Sequence, residues 1–444
     1  MNQKITIREK ASYALINLGN IPVTLVVSSF LLIYYTTVIG LDPAACATLF
    51  LIARIIDAIN DPFVGFFIDR IPNSRLGHFR MTLIVGAILC GLNYLLLWFG
   101  PLMFPVGKLA IAYISYLLLG ILFPVMDISL NSLLPVMTED PKERNSLSTI
   151  KGLFYALGGL IIGVSAPLII GNTTKKEGYI RLVLIITAII IVCSVLGTLG
   201  VKERLTAKPE QKYGLKDLFL ILRQRPVASF FAVTLLFGIG NYIFITSNTY
   251  FYVYILNNFK LYSIASLLSL VGMIPGITLS GILADKFGKK IVFSIGLLCF
   301  GILPMIRLIS ITNIPLVFSG TLLMNFGMGL LTPHMFSIIA DNTDYVEIHT
   351  GYRAEAAVAS LSSFVSKFSM GIGGAIPGYL LAAAGFVESA QEQPQTVYTA
   401  ILLCVIILPA IFSAIGSFIM LVIYPINRQK LQLQTETLRN FHKQ

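Results

Sequence analysis

The chain has 444 residues, of which 56% are hydrophobic and only 12% are charged. A soluble protein carries about 25% charged residues, so this composition excludes a soluble globular protein. The net charge of +11 does not indicate a nucleic-acid partner, because the basic residues concentrate in polar segments between apolar stretches, as membrane topology requires.

Apolar stretches recur along the whole chain, and each has the roughly 20 residues that a helix needs to cross the hydrocarbon core. They are continuous and do not alternate with period two, so they predict helices rather than the strands of a barrel. The fold class is therefore an all-α membrane protein. Twelve spans are predicted, near residues 11–40, 44–69, 81–101, 108–136, 148–171, 180–200, 226–256, 261–284, 290–310, 314–340, 354–386 and 397–425.

The basic residues also predict an orientation. With both termini in the cytoplasm, most of the 32 Lys and Arg residues fall in cytoplasmic segments, as the positive-inside rule requires. The polar first ten residues lack the apolar region of a signal peptide, so the first span is expected to be retained. We expect a multi-pass protein of the inner, or cytoplasmic, cell membrane.

A polar stretch at 201–229 divides the spans six and six, and a weak repeat agrees with that division. The segments "GFFIDR" and "GILADK" both read Gly-x-x-x-Asp-(Arg/Lys), so Gly65 and Asp69 match Gly281 and Asp285. Two six-helix halves related by repetition are typical of transporters. We predict an N-terminal bundle at 1–200, a cytoplasmic loop at 201–225, a C-terminal bundle at 226–425 and a cytoplasmic tail at 426–444.

Each copy of the repeat has a predicted role at the cytoplasmic end of its span. The glycine would let a neighbouring helix approach closely. The aspartate and the basic residues would pair with charges or helix termini of adjacent spans, and would separate if the halves rock. Plain interfacial charges are the alternative. The predicted cytoplasmic gate comprises Asp69, Arg70, Arg75, Asp285 and Lys286.

The second span carries charges that the bilayer disfavours. Arg54, Asp57 and Asp61 share one helix face, and Asn60 extends this polar patch. Pro62 removes a backbone donor and so frees a carbonyl oxygen one turn earlier. Oxygen ligands would suit Na⁺, and two close carboxylates would suit H⁺. An internal salt bridge between Arg54 and the aspartates is the alternative.

Four more charged residues within spans need an explanation. Asp127 has Asn131 four residues later on the same helix face, which would suit a polyhydroxylated ligand or a structural hydrogen bond. Lys367 lies near the middle of its span, where a carboxylate across the interface between the halves would keep it charged. Lys151 lies near a span end and either snorkels to the interface or faces a ligand. Arg307 is expected at the outer interface.

The deep charges sum to about zero or −1, so one bound monovalent cation would neutralise the site and couple the ion to movement. Arg54 and Lys367 are expected to form a charge network with the acids. The five scattered cysteines predict free thiols. No cofactor is predicted, and no metal is predicted beyond a possible coupling Na⁺.

Three segments carry a resemblance to a known family. They are "ARIIDAINDPFVGFFIDR", the MDIxxxSLxP pattern at Met126–Pro135, and "ADNTDYVEIHTGYRAEA". They resemble the glycoside–pentoside–hexuronide:cation symporters, a branch of the major facilitator superfamily that includes melibiose permease. The resemblance covers nearly the whole chain. It implies twelve helices in two bundles, a central sugar site and symport coupled to Na⁺, Li⁺ or H⁺.

The resemblance also implies roles by position. Asp57 and Asp61 match the cation-binding pair, with Asn60 beside them, and Asp127 matches an acid that serves the sugar and lies near the cation. The substrate-binding residues implied or matched by position are Asp127, Asn131, Lys151, Asn20 and Lys367, of which Lys367 matches a lysine near the cation site.

Three departures from the melibiose-permease type bear on specificity. Asn20 and Ile21 stand where that type has a Lys-Asp pair whose acid binds galactosyl hydroxyls, so galactoside specificity is not expected. Pro124 replaces a hydroxyl residue that helps to hold Na⁺, which favours H⁺. Asn131 replaces an aromatic residue, so sugar stacking must use another aromatic side chain, such as Tyr155, Tyr242 or Tyr250.

The function predicted from these observations is cation-coupled symport of a sugar or glycoside by alternating access, by a monomer in the lipid bilayer. Two alternatives stay open. One is symport of a non-sugar solute, either a sugar acid, which would suit Lys151, or a lysolipid-like amphiphile. The other is a sensor of the same fold that binds without transporting. An enzyme is not expected, because no nucleophile–base or metal constellation occurs.

Overall fold

The structure, a computed structural model, describes residues 5–70, 76–138, 140–204, 220–350, 355–387, 390 and 392–441. The first half of the chain forms six long helices. They are α1 (Ile7–Tyr34), α2 (Pro43–Arg70), α3 (His78–Met103), α4 (Lys108–Met137), α5 (Pro141–Ile170) and α6 (Lys176–Gly200).

The second half of the chain is more often interrupted. Its helices are α7 (Arg225–Tyr250), α8 (Lys260–Phe287), α9 (Lys289–Gly301), α10 (Ile314–Thr350), α11 (Glu355–Ala383), α12 (Gln395–Leu402), α13 (Leu408–Phe418) and α14 (Arg428–Phe441). Short π-helical turns follow α1, α7, α12 and α13, at Tyr35–Ile39, Phe251–Ile255, Leu403–Ile407 and Ile419–Ile423.

Within the described residues, ten helical stretches are long and apolar enough to cross a membrane. The other two predicted spans correspond to α2 and α11, whose 28 and 29 residues reach about 40 Å at 1.5 Å per residue. The predicted ninth span is α9 followed by a 3₁₀ segment at Leu303–Ile309, because Pro304 cannot donate to the α-helical ladder.

Contacts divide the chain into two compact units. The first unit contains Met1–Pro209 together with Asn257–Ser263 and Gly378–Pro394, and the second contains Glu210–Leu256, Ile264–Pro377 and Gln395–Gln444. Within the first unit, the Ser263 hydroxyl donates to the Val164 carbonyl at 2.7 Å. The bundle bounds stated from the sequence stay predictions.

In the first unit, α1 packs against α5 and α6, α3 against α4 and α6, and α2 against α4. In the second unit, α9 packs against α10 and α13, and α7 against α13. Each unit has a buried apolar cluster. That of the first includes Tyr13, Leu83 and Leu133, and that of the second includes Phe230 and Phe293. Burial of these side chains stabilises each unit independently of any site.

The prediction for Gly281 is wrong. A Cβ added at Gly281 would meet no atom of the described residues within 4 Å, so this glycine mediates no close contact with a described helix. The close approach of α8 to α10 occurs earlier along α8, where a Cβ at Gly276 would collide with the Phe326 carbonyl. Sequence alone could not distinguish these glycines, because both lie on one apolar helix. The surroundings of Gly65, the matching glycine of the first copy, lie outside the described part of the structure.

Candidate functional site

The charged patch of α2 contains a buried ion pair. The Arg54 guanidinium donates to the Asp57 carboxylate at 2.8 Å and to the Tyr116 hydroxyl at 3.2 Å. It also lies over the Tyr116 ring, 5.7 Å from the centroid. Asp57 is only 5% exposed. The internal salt bridge considered as an alternative is thus formed, at least to Asp57, and any ion that binds this carboxylate must compete with Arg54.

The contact of α2 with α4 brings further oxygen atoms to Asp57. Pro124 lies inside α4, so the Gly120 carbonyl one turn earlier has no intrahelical donor. The Asn60 amide donates to this carbonyl at 3.3 Å. A Cβ at Gly120 would overlap the Asp57 carboxylate. Gly120 therefore provides the space for Asp57, and Pro124 provides the acceptor for Asn60.

Gly120 and Tyr116 were not identified from the sequence. For Gly120 a signal existed, because a proline inside a helix always frees the carbonyl four residues earlier. The proline at position 124 therefore marked Gly120. No signal existed for Tyr116, whose contact with Arg54 depends on how α2 packs against α4.

Several predicted residues lie outside the described part of the structure. They are the side chains of Asp61, Asp69 and Arg70, and the whole of Arg75. The pairing of Asp57 with Asp61 as cation ligands stays a prediction. So does the part of the cytoplasmic gate contributed by the first half.

Four polar side chains from α1, α4 and α5 form one hydrogen-bonded network. The Asn20 amide donates to one Asp127 carboxylate oxygen at 3.2 Å, and the Asn131 amide donates to the other at 3.1 Å. The Lys151 ammonium donates to the Asn131 carbonyl oxygen. The network therefore runs Asn20–Asp127–Asn131–Lys151 and joins an acid to a base through an amide.

This network lies on an accessible surface. Asn131 is exposed, and Asn20, Asp127 and Lys151 are partly exposed. Tyr155, which is 63% exposed, lies one helical turn after Lys151 on α5. Ionisable groups at membrane depth face a water-filled path rather than lipid. The surface can therefore receive a polar solute, with an acceptor, several donors and an aromatic ring.

The candidate aromatic residues differ in access. Tyr250 is fully buried and stacks on Tyr254, with ring centroids 6.1 Å apart, so it cannot contact a solute. Tyr242 is partly buried. Tyr155 is the most accessible of the three rings suggested by the sequence.

Lys367 belongs to the second unit. It lines a cavity of about 400 Å³ together with Ser362, Ser363, Ser366 and Phe336. The serines and the lysine are on α11 and supply hydroxyl and ammonium groups to this cavity. The three serines that precede Lys367 are visible in the sequence, and they are the signal that could have predicted a polar face on α11.

Arg307 is enclosed by the second unit, and its expected depth at the outer membrane interface stays a prediction. This residue is 1% exposed, and its guanidinium donates to the Thr321 hydroxyl at 2.9 Å. It lies 6.0 Å from the Phe244 ring centroid. A Cβ at Gly320 would be 2.6 Å from its Nε, so the glycine on α10 makes room for the buried side chain. The sequence placed Arg307 near a span end but could not show this pocket.

Two other polar residues connect helices of the second unit. The Asn325 amide of α10 donates to the Ser269 hydroxyl of α8 at 3.1 Å. The His334 ring Nε2 lies 3.3 Å from the Ser280 carbonyl, also on α8. These contacts give both side chains a role in helix packing.

The second copy of the predicted gate, Asp285 and Lys286, lies within the described residues. Asp285 is exposed, and among the described residues it forms no ion pair. The Lys286 ammonium lies over the neighbouring Phe287 ring, 5.4 Å from its centroid. The Lys286 carbonyl accepts a hydrogen bond from Arg428 at 3.0 Å, so a basic residue does cap the end of α8.

The five cysteines are free thiols, as the sequence predicted. Cys46, Cys90 and Cys404 are buried, and the other two are partly buried.

Known proteins resemble this chain along nearly its whole length. The model of a family described as "MFS/sugar transport protein" matches residues 12–428. An isoprimeverose transporter of Lactiplantibacillus pentosus is 31% identical, over 87% of this chain and 82% of its own length. A protein of Escherichia coli provisionally named glycoside/cation symporter YagG is 28% identical, over 97% of this chain and 94% of its own length.

Solved structures with the same fold are more distant in sequence. The nucleoside transporter NupG has a TM-score of 0.65 at 13% identity, and the match covers 94% of this chain and 100% of NupG. A D-xylose–proton symporter has a TM-score of 0.65 at 12% identity, and the match covers 94% of this chain and 98% of the symporter. At this identity the likeness concerns the fold alone.

Proposed function

Because the chain belongs to the MFS/sugar transport protein family, we propose that it is a proton-coupled symporter that imports a sugar or glycoside by alternating access. The network Asn20–Asp127–Asn131–Lys151 carries this proposal, since it presents a carboxylate, two amides and an ammonium on an accessible surface inside a membrane-spanning unit. The names of the isoprimeverose transporter and of YagG support a sugar substrate and a coupling cation.

Family membership confirms several expectations from the sequence. The chain is a multi-pass membrane protein with the major facilitator fold. It is a secondary active symporter and not an enzyme. The resemblance to the glycoside–pentoside–hexuronide:cation symporters is confirmed as well.

The network is chemically suited to a sugar. Each sugar hydroxyl both donates and accepts, the Asp127 carboxylate only accepts, and the Lys151 ammonium only donates. Hydroxyls can therefore replace the amide–carboxylate bonds without leaving a charged group unpaired. Tyr155 supplies an accessible ring face on the same surface. Lys151 would also suit the carboxylate of a sugar acid, which makes hexuronides a substrate class to include in the test.

The surroundings of Asp57 favour a proton over Na⁺. One of its oxygens binds Arg54, the Gly120 carbonyl is bonded by Asn60, and Pro124 has no side-chain oxygen. Na⁺ would need several free oxygen ligands here, whereas a proton needs one carboxylate oxygen. In this proposal the proton binds the Asp57/Asp61 pair and weakens the electrostatic attraction between Asp57 and Arg54.

Two further parts of the proposal rest on charge. The distribution of Lys and Arg supports a cell-membrane location with both termini in the cytoplasm. Lys367 would supply positive charge, and its neighbouring serines hydroxyl groups, to the cavity that they line within the second unit. The protein is proposed to act as a monomer.

The direct test is sugar-triggered ion movement in energy-depleted cells that express the protein. Pentosides, glucosides, galactosides and hexuronides are added in turn while external pH and Na⁺ are recorded. We expect external alkalinisation with one sugar class, no response from Asp57→Asn, and a normal response from Glu177→Gln, which removes an exposed acid.

Two results would contradict the proposal in different ways. A fall in external Na⁺ without alkalinisation would replace H⁺ by Na⁺ as the coupling ion and leave sugar symport in place. No change in external pH or Na⁺ with any sugar of the panel, with the protein verified in the membrane, would exclude sugar symport.

A further inference from the structure

The second unit contains a charged cavity lined by none of the residues proposed to bind the sugar or the ion. Its volume is about 390 Å³. It lies where the N-terminus of α9 meets the chain leading into α14. The residues that matter here are Gly288, Lys289, Lys290, Arg428, Asp285 and Asp341.

Only one of the two acids in this cavity neutralises a base. The Lys289 ammonium bonds both oxygens of Asp341, at 2.7 and 2.8 Å. The Lys290 ammonium instead donates to the main-chain carbonyl of Tyr424 at 2.7 Å. Asp285 is exposed at the cavity edge.

Further positive charge surrounds Lys290. The charges of Lys430 and Arg225 repel its ammonium. Arg428 donates to the Lys286 carbonyl, a neutral group that leaves the guanidinium charge uncompensated. The cavity therefore has an excess of positive charge and attracts anions rather than cations.

The start of α3 in the first unit corresponds to the start of α9, and there a carboxylate binds the helix N-terminus. α3 begins after Gly77, which has a φ of 110°, and α9 begins after Gly288, which has a φ of 86°. In the first unit the Glu203 carboxylate accepts hydrogen bonds from the main-chain N–H groups of His78 at 2.9 Å and Arg80 at 2.7 Å. A carboxylate thus caps the positive end of the α3 dipole.

The second unit presents an arginine at this place instead. A Cβ at Gly288 would lie 3.3 Å from the Arg428 Cβ, just as a Cβ at Gly77 would lie 2.7 Å from the Glu203 carboxylate. Among the hydrogen bonds of the described residues, none joins a first-turn main-chain N–H group of α9 to a side chain, and the bonds of Lys289 and Lys290 are made by their ammonium groups. The start of α9, Lys290 and Arg428 all line this one cavity.

We propose that this cavity binds a phosphate group, whose oxygens take the role that the Glu203 carboxylate has in the first unit. The oxygens would accept from the first-turn N–H groups of α9 and from Lys290 and Arg428, as phosphates do at helix N-termini beside basic residues. The cavity lies at the end of a membrane span, so the phosphate comes either from the headgroup of an anionic phospholipid or from a soluble phosphate ester.

The test uses the purified full chain with two probes. Inorganic phosphate is titrated in detergent, and the chain is separately placed in nanodiscs of phosphatidylglycerol or of phosphatidylcholine. Thermal unfolding and hydrogen exchange of the peptide that starts at Gly288 are measured. Lys290→Gln and Arg428→Gln are compared with Lys202→Gln, which removes an exposed base beside Glu203 in the first unit.

We expect one probe to protect the start of α9 and to raise the Tm by several degrees. Protection by inorganic phosphate identifies a soluble phosphate, and protection by phosphatidylglycerol but not phosphatidylcholine identifies a lipid. Either cavity variant should weaken the effect about tenfold, and Lys202→Gln should not. No protection by either probe, or equal loss in all three variants, would overturn the proposal.

A charge-reversal variant gives an independent check. Arg428→Glu places a carboxylate beside Gly288, as Glu203 lies beside Gly77. We expect it to slow exchange at the start of α9 without any probe and to remove the response to phosphate. A variant that still responds like the unmodified chain would contradict the assignment.

Discussion

Arg54 and Arg307 lie within spans of different units, and their surroundings differ. Arg54 of the first unit binds a carboxylate at 2.8 Å and a tyrosine hydroxyl at 3.2 Å. Arg307 of the second unit is more deeply buried, and its one described hydrogen bond is to Thr321. Among the described residues no carboxylate pairs with Arg307.

The two arginines differ in whether a neighbouring side chain can gain or lose a proton. A proton arriving at Asp57 changes the strength of the Arg54 pair, because a neutral acid attracts the guanidinium less than a carboxylate does. No described partner of Arg307 changes its charge at physiological pH. Under the proposed function, Asp57 of the first unit takes part in ion coupling, whereas Arg307 of the second unit keeps a constant charge.

The largest effect is expected for Asp57→Asn. This change keeps the shape of the side chain but removes the charge that holds Arg54, so ion-driven accumulation should fall about 100-fold or more. The measurement is uptake into vesicles under a pH gradient, and counterflow exchange without a gradient shows whether the sugar still binds. Accumulation as in Glu177→Gln would refute the role of Asp57.

A smaller effect is expected for Asp127→Asn. The amide can still bond Asn20 and Asn131, so the fold should persist, but sugar hydroxyls lose a charged acceptor. A hydrogen bond to a charged group contributes ~1.5–3 kcal/mol, which corresponds to a rise in sugar Kd of about tenfold or more. Titration of the purified protein with the transported sugar measures this change. An unchanged Kd would remove Asp127 from the sugar site.

Gly120→Ala probes the contact between α2 and α4. The added methyl group would overlap the Asp57 carboxylate, and overpacking of this kind costs about 1–3 kcal/mol. We expect weaker coupling, seen as a shifted pH dependence of uptake with sugar Kd little changed. Gly281→Ala is the matched control, since its methyl group would meet no atom of the described part of the chain within 4 Å. If both variants behave alike, the packing argument for Gly120 fails.

The smallest effect is expected for Arg307→Met. Removing a buried charge without an acid partner should leave the free energy of unfolding within about 1 kcal/mol of its original value, or raise it. Arg54→Met should lower it more, because Asp57 then stays buried without its partner. Thermal unfolding in detergent compares the two. A larger loss for Arg307→Met would reverse the contrast between the units.

The sequence by itself determined the membrane spans and the local polar pairs. Continuous apolar runs specify helices of membrane length, because the rise per residue is constant. The spacings of Arg54 with Asp57, and of Asp127 with Asn131, place each pair on one helix face. Both pairs are bonded in the structure.

Only the tertiary structure decided the contacts between helices. The bonds of Asn60 to Gly120 and of Asn20 to Asp127 join residues 60 and 107 positions apart, and no spacing rule reaches that far. The burial of Arg307 and the open side of Gly281 likewise depend on which helix packs alongside. Periodicity determines the face of a helix, whereas the rotation and neighbours of that helix follow from the packing of all the others.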